Sequence, residues 1–218
     1  LLAYLHLSEW LKKGNPKPVT KDALIARAGS SLTIINAMKA KGIFQLYKRE
    51  VNRFHIDDNI EVKLNSLSQP QQEALTDIRN QMKEKNVVLL HGVTSSGKTE
   101  VYTHLIDSVL RSGLQVLYLV PEIALTTQLT QRLYRNFGNR LLIYHSKFSD
   151  NERVAIWKQL LNDQTPKVVI GVRSSVFLPF SKLGLVIIDE EHETSFKQQD
   201  PAPRYNARNA ALVLASMH

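Results

Sequence analysis

The sequence predicts an α/β protein with a mainly parallel sheet, preceded by a small helical domain, and three observations carry that prediction. Short β-branched apolar runs alternate with amphipathic stretches over the last two thirds of the chain. The first 60 residues show helical periodicity and then a hairpin pattern. Between the two regions lies a polar stretch, "DDNIEVKLNSLSQPQQ", that breaks both. Domains of residues 1–60 and 61–218 are therefore expected, with the boundary in an exposed linker.

The 218 residues are enough for one large domain or two small ones. With 43% hydrophobic residues and no apolar run of the roughly 20 residues that a membrane span needs, no membrane association is expected. The start "LLAYLHLSEWLKK" has no positive leader or small-residue cleavage site. Cysteine is absent, which excludes disulfides and thiolate metal sites here and fits a cytoplasmic setting. The net charge of +8 suits a polyanionic partner such as nucleic acid. It is uneven: residues 1–60 hold ten Lys/Arg against five Asp/Glu.

The front region opens on a helical stretch, Leu1–Lys13. "TKDALIARAG" follows, with Thr20 as cap, Leu24, Ile25 and Ala28 as apolar positions and Gly29 as stop. "SSLTIINAMKAKG" has Ser30 or Ser31 as cap, a stripe at Leu32, Ile35 and Met38, and Gly42 as stop. "IFQLYKREVNRFHI" alternates around a charged centre at Lys48–Glu50, as a β-hairpin does. Three helices and a hairpin in that order predict a winged helix, a module that binds DNA or docks on proteins.

After the linker the strand-like runs are "NVVLLHG", "QVLYLVP", "RLLIYHS", "KVVIGVRSS" and "LGLVIIDEEH". Helix-like "KTEVYTHLIDSVLRSG", "ALTTQLTQRLYRNFG" and "NERVAIWKQLLND" separate the first four. This alternation implies βαβ units and a sheet covered on both faces.

Gly92-Val93-Thr94-Ser95-Ser96-Gly97-Lys98-Thr99 matches GxxxxGK[ST] between a strand-like and a helix-like run, the context a P-loop (Walker A motif) requires. Its glycines let several backbone N–H groups point into one concavity, and the following helix N-terminus favours anions. Gly92, Thr94, Ser95, Ser96 and Gly97 would cradle the phosphates of ATP. Lys98 would reach the β- and γ-phosphates, and the Thr99 hydroxyl would coordinate Mg²⁺. Leu185–Ile188 runs into Asp189, which would hold Mg²⁺, and Glu190 would activate the attacking water. His192 completes Asp189-Glu190-Glu191-His192.

That tetrad resembles the DExH box of superfamily 2 helicases. Together with "HGVTSSGKTEVY", "YLVPEIALTTQL", "HSKFSDNERVAIW", "VIGVRSSVFLPFSKLGLVIIDEEHETSFKQQ" and "RYNARNAA", it resembles the PriA family of bacterial replication-restart DNA helicases, from about Leu67 to the end. The resemblance implies a first RecA-like helicase lobe behind the winged helix. It also implies a piece of a longer ATP-dependent 3′-to-5′ helicase that acts at stalled forks with primosome and single-strand-binding proteins. The family's second lobe and its zinc-binding, cysteine-rich region have no counterpart in this sequence. The piece alone is expected to be monomeric and nearly inactive, because the second lobe supplies arginines to the γ-phosphate. A non-motor, nucleotide-gated DNA-binding or scaffolding module is the competing class.

By position, the resemblance assigns adenine reading to Gln71 or Gln72. The family pattern has an Asn and an acidic residue where this chain has Ser68 and Pro70. Pro121, Glu122, Thr126 and Arg173 fall in segments resembling the family's strand-contacting motifs. "SFKQQDPAPRYNARN" resembles its aromatic-rich loop, which couples single-stranded DNA to ATP hydrolysis. There Phe196, Tyr205 and Arg204 would stack on bases, and Lys197 and Arg208 would meet phosphates.

Overall fold

The structure is a computed structural model and describes residues 2–8, 19–44, 64–93, 96–146, 148–162 and 165–218. It divides into two compact units, Leu1–Val51 and Asn52–His218.

In the first unit, α1 (Leu2–Leu7), α2 (Lys21–Ala28) and α3 (Leu32–Ala40) follow one another. Thr20 caps α2 by accepting from the Ala23 N–H, and Gly29 closes it in the left-handed region. Ser31, not Ser30, occupies the cap position of α3. Leu24 and Ile35 are buried, whereas Leu32 of the expected stripe is half exposed. Tyr4 on α1 meets Phe44 with ring centroids 5.0 Å apart. The expected hairpin and the rest of the leading helical stretch fall outside the described residues.

The second unit holds a four-stranded sheet of order β2-β3-β1-β4. Its strands are β1 (Gln115–Leu119), β2 (Leu141–Tyr144), β3 (Val168–Gly171) and β4 (Leu183–Ile188), and all three pairings are parallel. Alternate residues feed two cores. Val116, Tyr118, Val168, Ile170, Leu185 and Ile187 face one, packed by α4 (Gln69–Gln81), α5 (Lys98–Arg111) and α6 (Thr127–Phe137). Leu117, Leu119, Val169 and Val186 face the other, packed by α7 (Asp150–Asn162) and α8 (Ala207–Ser216). Covering both faces explains why these strands read as continuous apolar runs.

Two register features position the site. The β1–β4 register shifts between Gln115 and Val116, where Leu183 and Leu185 are the successive partners and Gly184 is the extra residue. Beyond it, Leu185 and Ile187 point to the first core, and Asp189 continues that parity. At the end of β3, a Cβ on Gly171 would lie 1.9 Å from Ser175 Oγ and 2.9 Å from Tyr144 O, so the turn that follows requires glycine there.

Three expectations need correction. "NVVLLHG" forms no ladder: Val88 and Leu90 pack on the first core, but Val87 and Leu89 are exposed and the run makes no strand pairing. Its composition favours extended backbone, but a strand also needs a neighbouring edge at pairing distance. The linker is shorter than expected, because Gln69–Gln72 begin α4. Pro70 sits in the first helical turn, where its missing N–H costs nothing, and Ser68 and Gln71 form a capping box. Finally, Asn209 belongs to α8, which starts at Ala207 with Asn206 as its cap.

Candidate functional site

The P-loop enters α5 through Gly97, whose φ of 82° caps the helix in the left-handed region. Its positive φ is what favours glycine there, while a Cβ would displace only the tip of Gln71, whose Nε2 lies 2.2 Å from its position. The Lys98 ammonium folds back over the loop, donating to Gly92 O at 2.7 Å and Val93 O at 3.3 Å. Ser96 is exposed, Gly92 is half-buried, and Thr94 and Ser95 lie outside the described residues.

Gln71 separates itself from Gln72. Its Nε2 donates to Gly97 O at 3.4 Å and its Oε1 accepts from the Ser68 N–H at 2.9 Å, while Gln72 is exposed on the outer side of α4. Gln71 therefore joins the start of α4 to the P-loop.

Asp189 follows β4, and its N–H donates to Leu119 O at 2.9 Å, continuing the ladder by one residue. Its carboxylate is held from two sides. Oδ1 accepts from the Glu190 N–H at 3.2 Å, and Oδ2 accepts from the buried Tyr118 hydroxyl at 2.9 Å. The Tyr118 hydroxyl is also within hydrogen-bonding reach of the Thr99 side chain. One phenol thus brings together the two residues expected to share Mg²⁺. Sequence reasoning missed Tyr118, because an aromatic in an apolar strand reads as core.

Burial pushes the Asp189 carboxyl above its ordinary value, and Glu190 adds to the rise. The Tyr118 hydroxyl, the Glu190 amide and the Lys98 ammonium pull the other way. Burial and then the Asp189 charge push the Tyr118 phenol well up, so it serves as a neutral donor. Tyr102, edge-on to Tyr118 at 5.8 Å, is raised by the same two causes and then by Glu190. A half-buried carboxylate, a nearby hydroxyl and an ammonium whose charge reaches that carboxylate are hard donors and a cation, the set that Mg²⁺ and phosphate oxygens fit. Among the described residues no three His, Cys, Asp or Glu gather to hold a metal ion.

Glu190 is the non-glycine residue with positive φ, 48°, among those described. Such backbone costs on the order of 1–3 kcal/mol and collects at functional positions. His192 is exposed and stands 3.9 Å from the Glu190 carboxylate. Glu191 turns outward and accepts from Arg208 at 2.6 Å, joining the acidic box to the first turn of α8.

The residues expected at a nucleic-acid strand divide. Glu122 is exposed. Thr126 caps α6 by accepting from the Leu129 N–H at 3.2 Å, and it too is exposed. Arg173 donates to Ser195 O at 3.3 Å and Lys197 O at 3.0 Å, fastening the turn after β3 to the loop after the acidic box. That loop closes on itself: the Gln198 N–H donates to Tyr205 O, Lys197 Nζ to Arg204 O, and Lys197 bridges Asn206. Tyr205 is half-buried and Arg204 is exposed.

Three residues depart from expectation. Phe196 is 1% exposed and packs in the second core with Leu119, Ala207 and Ala211, so it cannot stack on a base. Pro121 is buried, and its carbonyl accepts from the Ala124 and Leu125 N–H groups, so it shapes the turn before α6. Arg208 carries an ion pair with Glu191 that the expected phosphate role did not include.

Comparisons with known proteins bear on the family and the fold. Residues 68–214 match the DEAD/DEAH box helicase model, and the chain belongs to that family. Residues 1–51 match the winged helix domain of PriA helicases from Bacteroidota, which supports the module whose hairpin lies outside the described residues. The chain is 40% identical over 194 residues to replication restart protein PriA of Synechocystis, covering 89% of this chain and 23% of that protein. It is 38% identical over 199 residues to the PriA of Bacillus subtilis, covering 89% and 24%. To the Haemophilus influenzae PriA it is 50% identical over 130 residues, covering 60% and 18%. The resemblance read from the motifs is thus to PriA itself, and the chain spans about a quarter of the length of the first two relatives. Among solved structures, the ATP-dependent Type ISP restriction-modification enzyme LlaBIII bound to DNA superposes with a TM-score of 0.50. The match covers 67% of this chain and 12% of that one at 22% identity, a likeness of fold.

Proposed function

We propose that this chain is the winged helix and first RecA-like lobe of an ATP-dependent 3′-to-5′ DNA helicase that restarts stalled replication forks in the cytoplasm, with single-stranded DNA, primosome proteins and single-strand-binding proteins as partners. The observation that carries the reading is the Tyr118 hydroxyl on the Asp189 carboxylate at 2.9 Å, with a P-loop lysine parked on its own loop's carbonyls.

Each residue then has a task. Lys98 exchanges Gly92 O and Val93 O for the β- and γ-phosphate oxygens of ATP. The N–H groups of the P-loop and the start of α5 receive the phosphates. Gln71, already at Gly97, reads the adenine. Thr99 and Asp189 hold Mg²⁺, which when bound offsets charge developing on the phosphoryl oxygens. Glu190 takes the proton of the attacking water, and its amide holds Asp189 Oδ1 at 3.2 Å. Glu191 carries the state of the acidic box to α8 through Arg208, and Arg173 ties the neighbouring turn to the same loop.

The test uses the full-length protein. Lys98→Ala is expected to abolish ATP hydrolysis while fork binding, measured by fluorescence anisotropy on a labelled forked duplex, stays within about threefold of wild type. Loss of fork binding to the same degree as hydrolysis would give Lys98 a structural role. ATP hydrolysis that no DNA stimulates would favour a non-motor module.

A further inference from the structure

The turn after β3 presents a ring that no motif assignment uses. Phe177 ends the short 3₁₀ segment Arg173–Phe177 and is 63% exposed, although its neighbours Val176 and Leu178 are buried at 5% and 4%. The flanking side chains anchor the turn in the second core and hold the Phe177 ring out of it. Exposure of a lone phenylalanine is unremarkable by itself. This ring, however, has a fixed support.

Tyr205 meets Phe177 edge-on, with ring centroids 4.8 Å apart and planes at 71°. That geometry is a favoured aromatic pairing and leaves a face of Phe177 uncovered by Tyr205. Both rings are immobilised from behind. Arg173 donates from the Phe177 turn to Ser195 O and Lys197 O. Tyr205 is held in turn by the Gln198 N–H on its carbonyl and by its own N–H on Pro203 O. A rigid apolar face loses little conformational entropy when it is covered.

The charge around the pair selects the occupant. Arg173, Lys197 and Arg204 lie on the same turn and loop, against Glu193 and Asp200, and Lys197 and Arg204 are exposed. An uncovered ring among cations fits a base and its phosphates in a single strand, where stacking is independent of sequence. The apolar stripe Val154, Trp157 and Leu161 on α7 is comparably exposed, but no second ring pairs with Trp157 among the described residues as Tyr205 does with Phe177.

We infer that Phe177, supported by Tyr205, is the base-stacking platform of this lobe for single-stranded nucleic acid, in the role that the motif reading gives to Phe196. The inference rests on the helicase reading above and adds the residue that touches the base. Arg204 and Lys197 accompany it as phosphate contacts, and Arg173 is a positioning residue that holds turn and loop together.

The experiment measures binding of fluorescein-labelled oligo-dT to the full-length protein by anisotropy, for wild type, Phe177→Leu, Phe177→Ala and Phe177→Trp. Stacking is worth about 1–3 kcal/mol per base, so Phe177→Leu and Phe177→Ala are expected to weaken binding by roughly 5- to 150-fold. Phe177→Trp is expected to return it to within about threefold of wild type, which a purely apolar packing role would not require. Thermal melting and titration with a fluorescent ATP analogue report that the lobe is folded. The leucine variant keeps an apolar side chain of similar bulk should the alanine variant fail to fold. Wild-type affinity in Phe177→Leu, while wild type itself shows DNA-stimulated ATPase activity, overturns the platform and leaves the helicase reading standing. It would mean that another protein segment covers the ring. Absence of oligo-dT binding by the wild-type protein removes the reading and the platform together.

Discussion

The two ends of the acidic box differ in how they are built. On the P-loop side, the residues expected at the nucleotide are held by specific contacts: Lys98 on the loop's own carbonyls and Asp189 on the Tyr118 hydroxyl. On the loop side, the aromatic that looks functional by position, Phe196, is core, and the exposed ring, Phe177, comes from a different turn. The difference teaches that phosphate and metal chemistry restricts residue type at fixed spacing, whereas stacking asks only for some ring on some supported surface. The first can be read as a motif. The second depends on which side chains the core takes.

The comparison breaks most visibly at Lys98. Lys98→Ala is expected to lower ATP hydrolysis by the full-length protein by about 10³-fold or more, measured as phosphate release in the presence of oligo-dT. Phe196→Ala comes next and sharpens the contrast. A fully buried Phe leaves a cavity, so the lobe should lose roughly 3–5 kcal/mol of stability in urea unfolding. An unchanged unfolding midpoint, with DNA binding lost, would return Phe196 to the stacking role.

A third prediction concerns the ion pair beneath the P-loop. Glu100 is 8% exposed, pairs with Arg132 and accepts from Asn65 Nδ2 at 3.2 Å. Burial raises its carboxyl, but the Arg132 and Asn65 hydrogen bonds and the Arg132 charge outweigh it, so the net shift is downward. The folded value therefore lies below the unfolded one. The stabilisation is complete above the ordinary carboxylate value of 4.5 and is lost as pH falls through the lowered value. Arg132→Met strands the carboxylate. Because the Arg132 side chain is 45% exposed, the cost is discounted to about 1–3 kcal/mol at neutral pH. It should shrink in thermal melts below about pH 4.5, and a cost independent of pH would contradict the charge argument.

The smallest effect belongs to Tyr118→Phe. It keeps the ring and removes one donor from Asp189, so the fold should persist while the Mg²⁺ needed for half-maximal binding of a fluorescent ATP analogue rises about tenfold. An unchanged Mg²⁺ requirement would make the Tyr118 hydroxyl a mere core satisfier.

Legibility followed physical locality. The cap at Thr20 and the stop at Gly29 are decided within a few residues, and the structure places both at the ends of α2, whereas the resemblance places Thr126, the cap of α6, at a strand contact. The P-loop, Asp189 and the parallel sheet were equally visible, because glycines, a carboxylate after an apolar run and βαβ alternation are local patterns. Pro70 misled as a linker residue, although Ser68-x-x-Gln71 is a capping-box signature that locates the start of α4. "NVVLLHG" has strand composition but no ladder, since pairing is decided by a distant edge. Tyr118, Phe177 and Arg208 gained their roles from tertiary neighbours, namely Asp189, Tyr205 and Glu191. No spacing in the sequence announces those contacts.

The central claim is that the nucleotide side and the strand side belong to one machine, joined through Asp189–Glu191, Arg208 and the Arg173-fastened loop. The most direct measurement is ATP hydrolysis by the full-length protein as single-stranded oligo-dT is titrated in. The account predicts hydrolysis that rises and saturates with the oligonucleotide, with a half-saturation point that Phe177→Leu moves to higher concentration. Hydrolysis that is vigorous without DNA and indifferent to its addition would contradict it.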